Sequence, residues 1–258
     1  MSQSFCWYDL GDVCIGAVNK VASNSIRKAL AEAIGFDGHV KKLNRRFARV
    51  SLEPSETPRL VLVRNPYDRL VSCFFDKVVN AVKEDNCEFV YSLGLPADVD
   101  FQGFALRVCA MSDKESDKHF KSQGYFVDCG NAIPGPVVFT LDKIDAFEAQ
   151  VARFVPGFEL GKLNQSNHDD WRSFYTKEVA DVVYRRYEGD FLSFGFDRDS
   201  WVKLTKAPKK GKIEGDAKEV KKGGATRASV SKKKSPAKAA AKTAGAKRNA
   251  PKRAKKSD

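Results

Sequence analysis

Leu60-Val61-Leu62-Val63 is an apolar run behind Pro58 that passes directly into Arg64-Asn65-Pro66. Such a run reads as a buried strand. Asn65 can cap a helix, and Pro66 falls where a first helical residue belongs. Beyond it Tyr67, Leu70, Val71, Phe74, Phe75, Val78, Val79 and Val82 recur at helical spacing. The chain must therefore turn from strand to helix within a couple of residues. Arg64 stands at that turn, beside the free N–H groups of a helix N-terminus, which is a place to hold an anion. Ser72 lies two turns on, at the edge of the apolar stripe, and adds a hydroxyl donor.

A second junction of the same kind comes earlier. Asp12 to Val18 (DVCIGAV) reads as a buried strand, and Ile26 to Ile34 reads as a helix. Between them Asn19-Lys20-Val21-Ala22-Ser23-Asn24-Ser25 is rich in hydroxyls and amides. Strand, small polar turn and helix together offer backbone N–H groups, hydroxyls and one ammonium to a phosphate. No Gly-x-x-x-x-Gly-Lys occurs, so this is no Walker A loop.

The spacing predicts strands near 12–18, 38–43, 59–64 and 136–141. It predicts helices near 24–34, 67–83, 100–111, 142–154 and 169–190. Strands alternating with helices imply an α/β fold, a single domain with a parallel sheet and helices on both faces. Ligands then bind beyond the carboxyl ends of the strands, where both junctions lie.

The run Arg64-Asn65-Pro66-Tyr67-Asp68-Arg69-Leu70-Val71-Ser72 resembles the 3′-phosphate-binding motif of sulfotransferases that use 3′-phosphoadenosine 5′-phosphosulfate (PAPS). It is most similar to the Golgi-type carbohydrate sulfotransferases and their microbial relatives. The resemblance implies that Arg64 and Ser72 grip the 3′-phosphate. The Lys20 turn resembles the same family's 5′-phosphosulfate loop, Pro-Lys-x-Ala-x-Thr-Ser. Lys20 stands for the catalytic Lys, and Ser23, Asn24 and Ser25 stand for the phosphate contacts. Asn19 departs from the family's Pro, and Asn24 from its Thr. Lys118-His119-Phe120-Lys121-Ser122-Gln123 resembles His-Trp-x-Pro-Gln, and Leu163-Asn164-Gln165-Ser166 resembles an Asn-x-Ser before the last helix. Phe174 to Asp197 resembles the closing helix and its Phe-Gly-Tyr-Asp ending. The likeness spans about residues 12 to 197 and implies the P-loop-like sulfotransferase fold with PAPS as donor.

Charge divides the chain. Residues 202–258 hold 17 Lys and 3 Arg against 4 acidic residues, a net +16, which leaves −4 for residues 1–201. The segment 202–258 has no aromatic residue and is built from Lys, Ala, Gly, Ser and Pro. It cannot bury enough apolar surface to offset its chain entropy, so a disordered basic tail is expected there, behind a sulfotransferase-like domain at 1–201. Its KKKSPAKAAAKTAGAKR stretch resembles linker-histone tails, and dense Lys favours nucleic acid or another polyanion without reading sequence. Nuclear or nucleoid association is a variant of that expectation.

The six cysteines show no Cys-x-x-Cys and no zinc spacing, so no metal is expected. Buried free thiols are the default for Cys14 and Cys73. No signal peptide precedes the first strand and no apolar run approaches the ~20 residues a span needs. A soluble, intracellular protein with reduced cysteines is expected.

The chemistry implied is in-line transfer of a sulfuryl group to an acceptor hydroxyl, with Lys20 neutralising the leaving phosphate. The base is His39 or His119 if it is a histidine. Gly38-His39-Val40, on the strand predicted at 38–43, resembles the Gly-His-Val of uronyl 2-O-sulfotransferases, and His39 is the preferred of the two. An Asp or Glu base stays open, and His168 reads as structural. The acceptor class implied is a carbohydrate, with a lipid or small alcohol behind it. Lys41, Lys42, Arg45, Arg46 and Arg49 either line a cleft for an anionic glycan or form a solvated face. The alternative function is a catalytically inactive, nucleic-acid-associated binding protein, motivated by Asn19, Asn24 and the tail.

Overall fold

The computed structural model describes residues 7–49, 56–127, 135–161 and 170–202. All lie in the first of the two units into which the chain divides, Met1–Ala207 and Pro208–Asp258. The expectations for Leu163–Ser166, for His168 and for the tail beyond Val202 fall outside the described residues.

The chain opens with β1 (Trp7–Asp9) and β2 (Cys14–Gly16), an antiparallel pair joined through Gly11 at φ +90°. Two helices follow, α1 (Ser23–Ala33) and α2 (Val40–Phe47). The short β3 (Ala48–Arg49) then pairs antiparallel with β1. β4 (Arg59–Val63) lies parallel to β2, with Gly16 opposite Val61. From β4 the chain enters α3 (Pro66–Phe74), which continues through a π-helical stretch, Phe75–Val79, into α4 (Asn80–Lys83). Three further helices, α5 (Glu88–Ser92), α6 (Phe101–Cys109) and α7 (Gly124–Val127), precede β5 (Val137–Thr140). β5 is parallel to β4. After it come α8 (Ile144–Ala152) and the long α9 (Lys177–Phe194). The sheet order is β3-β1-β2-β4-β5.

The α/β class is the one predicted, and the strands expected near 12–18, 59–64 and 136–141 are the parallel set β2-β4-β5. Two antiparallel strands extend that set, so the whole sheet is mixed. The strand predicted at 38–43 is instead helix α2. Val40, Leu43 and Phe47 fall three and four residues apart with basic residues between them, which is helical spacing. Leu43 is accordingly buried. The helix predicted from 169 begins at Lys177, where the Thr176 side chain accepts from the Val179 N–H, 3.4 Å away. Ahead of it Asp170 caps a single 3₁₀ turn, Trp171–Phe174.

Two apolar clusters hold these elements. One surrounds the sheet, where all five residues of β4 are buried, so both faces are covered. The other lies among α3, α6 and α9 and is rich in aromatic rings. The Tyr67 ring there meets Tyr175 and Phe191 edge-on, both at 4.9 Å between centroids. Among the described residues no helix is long and apolar enough to cross a membrane.

β2 and β4 approach closely at Gly16. A Cβ there would sit 2.5 Å from Val61 Cγ2 and 3.3 Å from the Trp7 ring. Gly16→Ala is expected to destabilise the fold by about 1–3 kcal/mol through overpacking. Urea denaturation with an unchanged slope would register it as a lower midpoint.

Candidate functional site

The turn after β2 carries two non-glycine residues in left-handed backbone conformations, Lys20 at φ +66° and Ala22 at φ +51°. Each costs about 1 kcal/mol or more, a strain that persists where the surrounding structure enforces it. Left-handed residues alternating with ordinary ones turn successive N–H groups to one side, as in an anion-binding nest. Ala22 occupies the N-cap of α1, and no side chain caps that helix. The α1 N-terminus therefore keeps its dipole and its N–H groups for an incoming anion. Ser23 is buried and Asn24 exposed. Arg27 donates to Ser23 Oγ (3.3 Å) and Asn24 Oδ1 (3.1 Å), which gives the unusual Asn24 a partner one turn along.

The Arg64 junction forms as its sequence predicts. Asn65 accepts from the Tyr67 N–H at 3.0 Å and Pro66 opens α3. The Arg64 guanidinium grips Asp68 through two contacts of 2.7 Å and donates from Nη1 to the Lys20 carbonyl at 3.2 Å. The two junctions are thus in direct contact. Gln123, fully buried, clasps the Arg64 backbone, with Oε1 accepting from its N–H (2.9 Å) and Nε2 donating to its carbonyl (2.8 Å).

Arg64, Asp68, Ser72 and Asp76 are spaced four residues apart, along one side of the rod that α3 begins. Ser72 is buried. Asp76, in the π stretch, reaches Lys20 Nζ at 3.3 Å and Lys77 Nζ at 3.1 Å. Lys20 therefore meets this rod twice, by its carbonyl at Arg64 and by its ammonium at Asp76.

Arg69, buried on α3, donates to the carbonyls of Asn19 (3.1 Å), Lys121 (2.8 Å) and His119 (3.3 Å). It joins the Lys20 turn to the segment 117–123. The Asn19 amide adds a bond to the Lys118 carbonyl at 3.4 Å, which a Pro could not make. From the other side α9 braces the same segment. Tyr187 OH donates to the Phe120 carbonyl (2.7 Å), and the Asp190 carboxylate accepts from the N–H groups of Gln123 (2.7 Å) and Gly124 (2.8 Å). Burial pushes the Asp190 carboxyl above its ordinary value, against the pull of those two donors.

His119 is held within this frame. Its Nδ1 faces Asp117 Oδ1 at 2.5 Å, and its backbone N–H donates to the same oxygen at 2.9 Å. Burial is the largest influence on the His119 imidazole and lowers its pKa. The Lys77 charge lowers it further, and the Asp117 bond offsets part of this. Burial alone would raise Asp117, but the bonds from His119 outweigh it and hold that carboxyl below its usual range.

The structure brings Lys20, Ser23, Asn24, Ser25, Arg64, Ser72 and His119 to one end of the sheet. It does not bring His39 there. His39 is exposed and precedes α2, where its carbonyl accepts from Lys42 and Leu43. It lies past the far end of the eleven-residue α1, about 16 Å of helix from the Lys20 turn. Lys42, Arg45, Arg46 and Arg49 are exposed as well. Asp76, Asp117, Arg69, Gln123, Tyr187 and Asp190 escaped the sequence reading. Arg69 and Gln123 stood inside the two motifs themselves, and the four-residue spacing of Asp68, Ser72 and Asp76 was a further visible signal. Among the described residues no group of His, Cys, Asp and Glu is arranged to hold a metal ion.

Residues 9–126 match the model of the Sulfotransferase family. This part of the chain is similar to the sulfotransferase family. The match takes in the Lys20 turn, the Arg64 motif and the His119 segment, and it supports sulfuryl transfer as the general activity. No curated protein and no solved structure matches the chain.

Arg69→Lys tests the joint between the two halves of this candidate site. A lysine cannot span three carbonyls in the fork geometry of a guanidinium. A loss of about 2–4 kcal/mol in stability is expected from the carbonyls left without donors. Chemical denaturation checks it.

Proposed function

We propose that the protein transfers a sulfuryl group from PAPS to a hydroxyl of an acceptor, with a carbohydrate as the acceptor class. The observation that carries this reading is the 3.2 Å contact between Arg64 Nη1 and the Lys20 carbonyl. It sets an uncapped helix N-terminus with one ammonium beside a strand-end arginine, the arrangement that suits a donor with phosphate groups at its 5′ and 3′ positions. The residues fit such a donor. After its bonds to Asp68 and Lys20, the Arg64 guanidinium keeps two N–H groups.

Bound PAPS supplies the sulfuryl group and takes up negative charge at its 5′-phosphate as that group departs. Arg64 and Ser72 hold the 3′-phosphate. The N–H groups of the α1 first turn, with Ser23, Asn24 and Ser25, hold the 5′ end. Lys20 meets the charge that develops there, an interaction worth most in the transition state. His119 serves as base. A carboxylate at Nδ1 favours the proton on that nitrogen and leaves Nε2 to accept the proton of the hydroxyl. Asp117 holds the ring in that orientation. His39, beyond the far end of α1, takes no part in this arrangement.

Lys20→Ala is expected to lower turnover by about two to three orders of magnitude. Its circular dichroism should not change, since the side chain lies in a polar turn. A labelled-PAPS transfer assay over glycan, lipid and phenol acceptors measures this, and near-normal turnover would overturn the role of Lys20. If the wild type binds 3′-phosphoadenosine 5′-phosphate but transfers to none of them, the inactive-protein reading gains instead.

The pH profile tests His119. The imidazole must be neutral to accept a proton, and its folded pKa is depressed. Activity should therefore persist as pH falls through the ordinary histidine value of about 6.5 and decline only below it. An acid limb of kcat/KM above that value, or one unchanged in His119→Ala, would assign the base elsewhere.

A further inference from the structure

We propose that Asp76 is a latch on Lys20, holding its ammonium in the donor-free protein and competing with the donor's 5′-phosphate for it. The inference rests on the reading of Lys20 as the 5′ ligand. Lys20 cannot serve a donor while fully committed to Asp76, and the pair is closed at 3.3 Å.

The surroundings let that pair open without moving the chain. The Lys20 backbone is pinned by its left-handed conformation and by Arg64 at its carbonyl. Only the side chain has freedom to swing. Asp76 is 40% exposed and Lys20 17% exposed, so their attraction is screened and weak enough to yield. An incoming dianion that also finds the N–H groups of α1 offers the ammonium more. Asp76 is not stranded when Lys20 leaves, because Lys77 holds the same oxygen at 3.1 Å. Burial alone would raise the Asp76 carboxyl, but Lys20 and Lys77 outweigh it and keep it ionised. A carboxylate so held is a poor base and a good counter-ion.

The π-helical stretch supplies the geometry. Phe75–Val79 departs from α-helical winding where the rod passes the Lys20 turn. A wider turn rotates the downstream residues relative to α3, and such insertions recur at functional sites.

Calorimetric binding of two probes tests the latch. One is 3′-phosphoadenosine 5′-phosphate, and the other is adenosine 3′-phosphate, which lacks the group that reaches Lys20. The proteins are wild type, Asp76→Asn, Lys20→Ala and the double variant, each checked by circular dichroism. In Asp76→Asn the first probe should bind about tenfold tighter at low salt, the scale of one screened charge contact. The second probe should be unaffected, and in the Lys20→Ala background the gain should largely vanish. Unchanged or weaker binding in folded Asp76→Asn overturns the latch, as does an equal gain with Lys20 absent or with the second probe. Wild type that binds the first probe while Asp76→Asn shows no gain sinks the latch alone. If none of the proteins binds the first probe, the assignment of Lys20 as 5′ ligand falls, and the latch with it.

Discussion

The Arg69 guanidinium points its N–H groups at three backbone carbonyls, those of Asn19, His119 and Lys121, rather than at a carboxylate. A guanidinium stays charged wherever it is buried, so its desolvation is offset only while all three carbonyls stay in place. That condition fixes the turn after β2 against the segment 117–123, although about a hundred residues of chain lie between Asn19 and Lys118. The Lys20 ammonium and the His119 ring inherit their separation from it. Cys73 Sγ adds a contact to the same His119 carbonyl at 3.0 Å, so α3 holds this segment from two successive turns.

Around that anchor, rigid and adjustable parts are divided by residue. The backbone of the Lys20 turn is strained and pinned. The Arg64 backbone is clasped by the buried side-chain amide of Gln123, and the Gln123 backbone N–H is in turn held by Asp190. The adjustable part is the end of a lysine side chain between a carboxylate and the space beyond the sheet. Binding groups on a fixed backbone lose little freedom when a ligand arrives.

The two junctions were legible because each is a local event. A strand exit, a capping Asn, a Pro at the first helical position and an apolar stripe state themselves within a few residues, and Asn65 and Pro66 do what their chemistry dictates. The parallel strands were legible for the same reason. β1 and β3 were not, since three and two residues are too few to show alternation. The strand expected at 38–43 was a misreading, because the likeness of Gly38-His39-Val40 to a family tripeptide outweighed the helical spacing of Val40, Leu43 and Phe47. The partners of Arg69, Gln123 and Asp190 were beyond reach in another way. Each bond spans fifty residues or more, and nothing in the local pattern of a buried polar residue says which distant backbone it will meet.

The braces from Tyr187 and Asp190 lie past residue 126, where the family match ends. A chain emerging from the ribosome has its Lys20 turn, its Arg64 junction and its His119 segment well before it has α9. Until α9 docks, the Phe120 carbonyl and the N–H groups of Gln123 and Gly124 lack these partners. The segment 120–124 therefore gains these braces only once α9 has been made, from a helix that carries none of the proposed donor contacts. An exchange of this segment between relatives would have to carry both pieces together, because the hydroxyl and carboxylate on one are matched to the backbone of the other.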